Sequence, residues 1–482
     1  MTGQASKRQR QLRAKLGESL KGLAGGMVRG MGMPTQRIAL PGSDDAVSQR
    51  HARSVIELCL RVGETMIATG ASAADTVAQL LRLSSSFGIS GVHVDIHFSS
   101  ITVSVHRGLD EDPISVMRVV KVRTTDYTRL RDVYMLMDEI TSATEPVDPD
   151  IARQHLSEIL RQPHPYRRWV VSAGKAILAA GVVVMYDASF IVILAAAISA
   201  IIADIVTRRL EKWGISAFFV QMAAAFIITS IAGLLYWTRT LGFAVTSEVQ
   251  PTVIVISGIM LLLSGIGLTA AARDAIDGYY ITASSRGLEV IMMTLGLAVG
   301  ISLTIGLALR IGIPIDVGTS LGRTDNIWAG IVGAGLIGIG FALTSYVRLI
   351  IAPIMAALAG AVFAVFFIVQ PLMPDPGLAP GIAGVVAGVL SYLVYRWITV
   401  PEAALTMAGI IGLIPGLTVY RGLYTLMDGP QGLVAALGEL FVALAVGIGL
   451  AAGTTIGGHL ARRSFGLDRA AEISMRRTRR MK

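Results

Sequence analysis

The sequence is short of charge and of cysteine. Only 16% of its 482 residues are Asp, Glu, Lys or Arg, and Cys59 is the single cysteine. A water-soluble domain usually carries about 25% charge. One cysteine excludes an intramolecular disulfide framework and a cysteine-rich metal site. Cys59 lies in Val55-Ile56-Glu57-Leu58-Cys59-Leu60, where a buried structural thiol is expected. A GxxxxGK[ST] phosphate loop is also missing, so direct ATP drive within this chain is not expected. The first thirty residues are basic and polar (Lys7, Arg8, Arg10, Arg13, Lys15, Lys21, Arg29), without the apolar run of a secretory leader. The N-terminal part is therefore expected to stay in the cytoplasm. Its cations would each contribute roughly 1 kcal/mol at an anionic lipid surface; the same segment reads equally well as a solvated tail.

What the chain has in abundance is apolar sequence: 53% hydrophobic residues and a mean hydropathy of +0.63. Residues 1–168 read as an ordinary soluble segment, and from Trp169 onward one apolar run follows another. A helix needs about 20 mostly apolar residues to cross the hydrocarbon core. Ten candidates are expected: 169–187, 190–207, 215–237, 252–272, 288–309, 327–346, 349–369, 378–395, 397–416 and 434–457. The expected fold is a membrane all-α bundle of about ten transmembrane helices in two five-helix inverted repeats, preceded by a small cytoplasmic α+β domain. The expected boundaries are a basic tail at 1–45, the soluble domain at 46–168, membrane halves at 169–310 and 327–460, and a basic cytoplasmic tail at 461–482.

Lys and Arg in short loops set orientation. With the N-terminal domain inside, the inner loops hold Arg208, Arg209, Lys212, Arg273, Arg286, Arg348 and Arg396, and the tail adds eight more basic residues between Arg462 and Lys482. The outer loops hold only Arg239, Arg310, Arg323 and Arg421. Both ends are thus expected in the cytoplasm of a multi-pass plasma-membrane protein. The net charge of +9 follows from this bias and gives no reason to invoke nucleic acid.

Five spans per half would place the halves upside down relative to each other, and the sequence carries an echo between them. Leu263-Ser264-Gly265-Ile266-Gly267-Leu268-Thr269, with Arg273 shortly after, ends the fourth span. Leu413-Ile414-Pro415-Gly416-Leu417-Thr418, with Arg421 shortly after, ends the ninth. Each is followed by an acidic residue near the next span, Glu289 or Glu439. Gly, Leu and Thr are common in membrane helices, so chance is the competing reading. Inverted repeats are typical of secondary transporters, whose sites lie where helices are interrupted by Gly or Pro.

Ionisable residues at membrane depth are costly and point to function. One group is Arg273, Asp274, Asp277, Arg286 and Glu289; a second is Tyr420, Arg421, Asp428 and Glu439. A zwitterionic amino acid needs one partner of each sign. Arg273 or Arg421 could hold its carboxylate, and Glu289 or Glu439 could receive its amino group or carry a coupling proton. Ser264, Thr269, Thr282, Ser284 and Thr418 could bond a substrate hydroxyl. Pro415 and Gly416 would open the helix beside them. The competing reading is that these are loop-end charges in the headgroup region that pair with one another. Lys175 and Asp204 lie within the first two spans and are candidate partners.

In the soluble part, helix periodicity runs from Val55 to Met66 and breaks at Thr69-Gly70; Ser72 is the expected N-cap of a second helix ended by Gly88. Val92–Phe98 and Ile101–His106 alternate with period two and predict a hairpin around Ser99-Ser100. A third strand is expected from Ile114 to Val122, then helices from Tyr127 to Ile140 and from Pro149 to Leu160. His93, Asp95 and His97 share one strand face, with Glu64 and Asp75 as spatial neighbours; a metal or acid/base site competes with the polar face of a half-buried strand. No metal and no cofactor is expected.

The run Gly412-Leu413-Ile414-Pro415-Gly416-Leu417-Thr418-Val419-Tyr420-Arg421-Gly422-Leu423-Tyr424 resembles the C-terminal signature of the threonine/serine exporter family. Arg61-Val62-Gly63-Glu64, Ala68 to Thr76, His93-Val94-Asp95-Ile96 and Thr282 to Glu289 are similar to other parts of it. The resemblance covers about residues 50 to 460 and is nearest to fused, actinobacterial forms. It implies a cytoplasmic domain, about ten spans in two five-span parts, and export of L-threonine and L-serine driven by the proton-motive force. A homo-oligomer is compatible with it. Related split pairs have been linked to export of dicarboxylates such as succinate, so the resemblance leaves the substrate open; a dicarboxylate would favour an Arg-dominated site. A membrane-anchored hydrolase built on His93, Asp95 and His97 would leave the spans unexplained, so an enzyme is not expected.

Overall fold

The computed structural model describes residues 49–89, 91–106, 112–120, 124–143, 147–241, 251–262, 265–312, 326–425 and 432–465. The N-terminal elements are α1 (Gln49–Thr69), α2 (Ala73–Ser86), β1 (Val92–His97), β2 (Ser100–Val105), β3 (Ile114–Val119), α3 (Tyr127–Ser142) and α4 (Pro149–Arg161). Ser72 caps α2 by accepting the Asp75 N–H at 3.2 Å. Gly88, at φ +74°, closes the turn after it. The strands form one antiparallel sheet in the order β1-β2-β3, with Asp95 opposite Thr102 and Ile96 opposite Ile101. Ile101, Val103 and Val105 point into the core, against α1. His93, Asp95 and Thr102 alternate with them and lie on the other face. Cys59 is buried in α1, and desolvation pushes its thiol up to about 12.

The apolar part begins with α5 (Arg168–Met185), α6 (Phe190–Lys212), α7 (Ala217–Thr240), α8 (Pro251–Leu262), α9 (Gly265–Ile276) and α10 (Tyr280–Arg310). It continues with α11 (Ile327–Thr344), a 3₁₀ turn Leu349–Ile351 leading into α12 (Ala352–Val369), and α13 (Leu378–Trp397). The last elements are α14 (Glu402–Ile410) with a 3₁₀ extension Ile411–Leu413, α15 (Gly416–Thr425) and α16 (Gly432–Phe465). Among the described residues, eight helices are long and apolar enough to cross a membrane, or nine with α8 and α9 counted as one bent span.

Of the ten expected spans, eight or nine are thus found among the described residues. The fourth expected span is broken between α8 and α9, with a 47° bend. The ninth, expected over 397–416, is a shorter apolar helix, Glu402–Leu413, followed by a break and α15.

One set of packings occurs twice. In the first part α5 packs on α6, α6 on α7 and α8, α7 on α8 and α10, and α9 on α10. In the second, α11 packs on α12, α12 on α13 and α14, α13 on α14 and α16, and α15 on α16. Small residues set the closest approaches, as expected where lipid removes the hydrophobic driving force between helices. Gly296 and Gly300 of α10 lie against the Phe218 and Met222 carbonyls of α7; Gly449, Gly453 and Gly457 of α16 lie against Gly377, Gly381 and Val385 at and beside α13. Between the parts, α5 and α11 run antiparallel with Gly174 on Gly340 and Gly181 on Gly333.

Candidate functional site

Two interrupted helices meet inside the apolar part. Pro415 has no N–H and disfavours helical backbone in the residue before it. Ile414 accordingly takes φ −60° and ψ 133°, and α15 starts afresh at Gly416. At the corresponding break, between α8 and α9, the Leu262 carbonyl accepts the side-chain amide of Gln221 on α7. A Cβ on Gly416 would lie 3.5 Å from the Met260 Cβ of α8, so the two breaks are neighbours. Thr269 of α9 reaches Met407 of α14, with its hydroxyl 4.0 Å from the sulfur. Irregular backbone at such depth is tolerated where protein or a lined cavity satisfies it. The sequence echo falls on both breaks.

A second concentration of polar groups lies where α9 turns into α10, beneath the N-terminal domain. Asp274 is fully buried and its Oδ2 accepts from Arg286 at 2.6 Å. The Ala73 N–H, at the start of α2, is within electrostatic reach of the same carboxylate. Arg273 stands 4.0 Å from Asp277. Burial raises the Asp277 carboxyl, with Arg273 and His459 opposing. Tyr279 is pushed up to about 12, first by burial and then by the carboxylates of Asp277, Asp274 and Asp95.

The N-terminal domain is fastened to this end of the bundle. Thr282 of α10 donates to the Ile96 carbonyl at 2.9 Å and accepts the Phe98 N–H at 3.2 Å. The Tyr127 N–H reaches the Ser345 carbonyl at 3.1 Å. Tyr166 donates to the Val347 carbonyl at 2.8 Å. His164 stacks on Tyr346, ring centroids 4.5 Å apart.

The expected site residues do not form one cluster. Arg273, Asp277 and Arg286 are together at the α9–α10 corner. Ser284 is exposed and bonds back to the Ile281 carbonyl, and Glu289 is exposed on α10. Pro415 and Gly416 are buried at the second break, with Thr418 half-buried on α15. Arg421 lies farther along α15, within electrostatic reach of Tyr186. Tyr186 follows the end of α5, whose 18 residues span about 27 Å from the docked end. Arg273 and Arg421 therefore sit toward opposite ends of the bundle and cannot share one carboxylate. Glu439 is half-buried on α16. The Tyr420 side chain, Ser264 and Asp428 lie outside the described residues.

In the N-terminal domain, Glu64 pairs with Arg118 at 3.0 Å, and the Asp75 carboxylate accepts from Tyr134. His93 meets His106 edge-on at 5.5 Å, while Asp95 pairs with His97 at 2.6 Å. Among the described residues, no group of three or more His, Cys, Asp or Glu is arranged to hold a metal ion.

One feature, Gln221, went unread in the sequence, and another, Asp204, was read only in part. Gln221 is a polar amide inside an otherwise apolar stretch, and that oddity was the available signal. Asp204, noted beside Lys175, gathers more than one partner: Lys175 at 2.6 Å, Arg208 at 2.7 Å and the Ser172 hydroxyl at 2.7 Å.

These elements define a polytopic helical membrane protein with interrupted helices and a docked N-terminal domain. The model of the threonine/serine exporter family, ThrE, matches residues 57–308. The "Probable threonine/serine exporter" of Mycobacterium tuberculosis is 30% identical over 424 residues, covering 86% of this chain and 78% of that protein. The "Threonine/serine exporter" of Corynebacterium glutamicum is 30% identical over 425 residues, covering 87% of this chain and 85% of that protein. The chain belongs to the threonine/serine exporter family. No solved structure matches it.

Proposed function

We propose that this protein exports L-threonine and L-serine across the bacterial plasma membrane, with the proton-motive force as the driving gradient. The meeting of the two helix breaks, Gly416 against Met260, carries the reading. Helix interruptions near the midplane are where secondary transporters hold small polar substrates. The chain then consists of a cytoplasmic domain at 46–168 and two five-helix halves, 169–310 and 327–460, of opposite orientation. Broken helix pairs α8–α9 and α14–α15 take the fourth place in each half. The doubled packing pattern and the antiparallel glycine contacts of α5 with α11 support this arrangement. The excess of Lys and Arg on one side supports cytoplasmic termini. Arg273 lies at the loading end of the path and Arg421 at the release end.

The test is efflux from intact cells loaded with a threonine-containing dipeptide, comparing this protein, an empty vector and Arg421→Ala. Faster release of threonine and serine, lost with the variant and with a protonophore, is expected. Release of succinate alone would transfer the protein to the dicarboxylate exporters.

A further inference from the structure

The α9–α10 corner has more unsatisfied polarity than a docking joint requires. Among the described residues, Arg273 Nε, Asp274 Oδ1 and Tyr279 Oη are buried atoms without a hydrogen-bond partner. All three fall within one seven-residue stretch of sequence. Tyr279 is 2% exposed, so water does not satisfy its hydroxyl by default. An unpaired buried polar atom is costly, and such atoms gathered at one place mark a site built for a partner.

The charges within electrostatic reach of that hydroxyl are carboxylates. Asp277 and Asp274 stand on the membrane side. Asp95 comes from the N-terminal domain, where one of its oxygens pairs with His97 at 2.6 Å, and its carboxylate is within electrostatic reach of Tyr279. Its position is fixed by geometry: the next residue, Ile96, is bonded to Thr282 at 2.9 Å, one helical turn beyond Tyr279. Arg273 faces Asp277 at 4.0 Å, too far for a closed hydrogen bond, which leaves both groups available to a ligand.

We infer that the first binding site for a zwitterionic α-amino acid is shared between the N-terminal domain and the α9–α10 corner. Asp95 and Asp277 receive its ammonium group, Arg273 its carboxylate, and Tyr279 a remaining polar atom. The inference rests on the export reading above and deepens it. It makes the N-terminal domain part of the substrate site.

The experiment is threonine counterflow in proteoliposomes holding the full chain, with threoninol, which keeps the ammonium and lacks the carboxylate, as competitor. Asp95→Asn and Tyr279→Phe are each expected to raise the KM for threonine about tenfold or more, the scale of a lost charge-assisted bond. Asp95→Asn should weaken threoninol to the same degree. Arg273→Gln should weaken threonine and leave threoninol unchanged, a split that general loosening of the corner does not produce. Wild-type exchange with Asp95→Asn and Tyr279→Phe both at wild-type KM overturns the shared site and leaves export standing. If Asp95→Asn does not reach the membrane, Tyr279→Phe with Arg273→Gln decides. Absence of threonine exchange by the wild type overturns the export reading itself, and the shared site with it.

Discussion

Thr282 donates its hydroxyl to the Ile96 carbonyl at 2.9 Å, joining the first turn of α10 to the end of β1. The same oxygen accepts the Phe98 N–H. Phe98 sits at φ +48°, the left-handed region that a non-glycine residue seldom takes. The hairpin turn is thus held in its unusual form against a membrane helix. Thr282→Val removes both bonds and buries an apolar methyl in their place. A loss of about 1–3 kcal/mol is expected, read as a lower thermal midpoint of the detergent-solubilised protein, with Thr282→Ser restoring most of it.

Asp204 is almost fully buried, with two cations and a hydroxyl on it. Removing Asp204 leaves Lys175 and Arg208, each a third exposed, without their shared partner, at a cost of about 1–3 kcal/mol. Asp204→Ala should therefore sharply reduce the yield of monodisperse protein in size-exclusion chromatography. Asp204→Asn with Lys175→Met should recover part of that yield. If the single variant behaves as wild type, the group contributes nothing to stability.

The α5–α11 contact has no room for side chains. A Cβ on Gly333 would stand 2.6 Å from the Gly181 carbonyl oxygen, and one on Gly340 would stand 2.6 Å from that of Gly174. Gly333→Val should force the helices apart at a cost of about 1–3 kcal/mol and depress export in parallel. Gly306→Ala, where nothing lies within 4 Å, should leave both unchanged. Equal effects of the two variants would exclude close packing as the reason for glycine here.

Buried tyrosines make the docked domain sensitive to alkali. Tyr127 and Tyr134 are both raised above the ordinary 10.0, chiefly by burial. The Asp75 carboxylate, which accepts the Tyr134 hydroxyl, raises that residue further. A group whose folded pKa exceeds its unfolded one stabilises fully below the unfolded value and loses that contribution as pH rises through the folded value. Stability should therefore hold up to about pH 10 and fall above it. Circular dichroism across that range should show a shallower fall for Tyr127→Phe.

Much of the N-terminal domain was legible because its signals are local. The Ser72 cap, the Gly88 stop, the hairpin turn and the starts of α3 and α4 each rest on a few adjacent residues. The third strand ends at Val119, three residues before the expected Val122. The apolar spans were equally plain, since length and hydropathy suffice to find them. The break at Pro415 was readable from proline chemistry. The break after Leu262 was not, because no proline marks it; only its echo with the second half hinted at the place.

The sequence by itself determined the class of molecule, the positions of most of its apolar helices and the family. These follow from composition, periodicity and contiguous motifs, which need no knowledge of which residues meet. Only the tertiary structure decided that Arg273 and Arg421 lie toward opposite ends, that Gly416 meets Met260, and that β1 docks on α10. Contacts between residues more than a hundred positions apart depend on how helices pack and where backbone groups find partners, and neither spacing nor hydropathy encodes that.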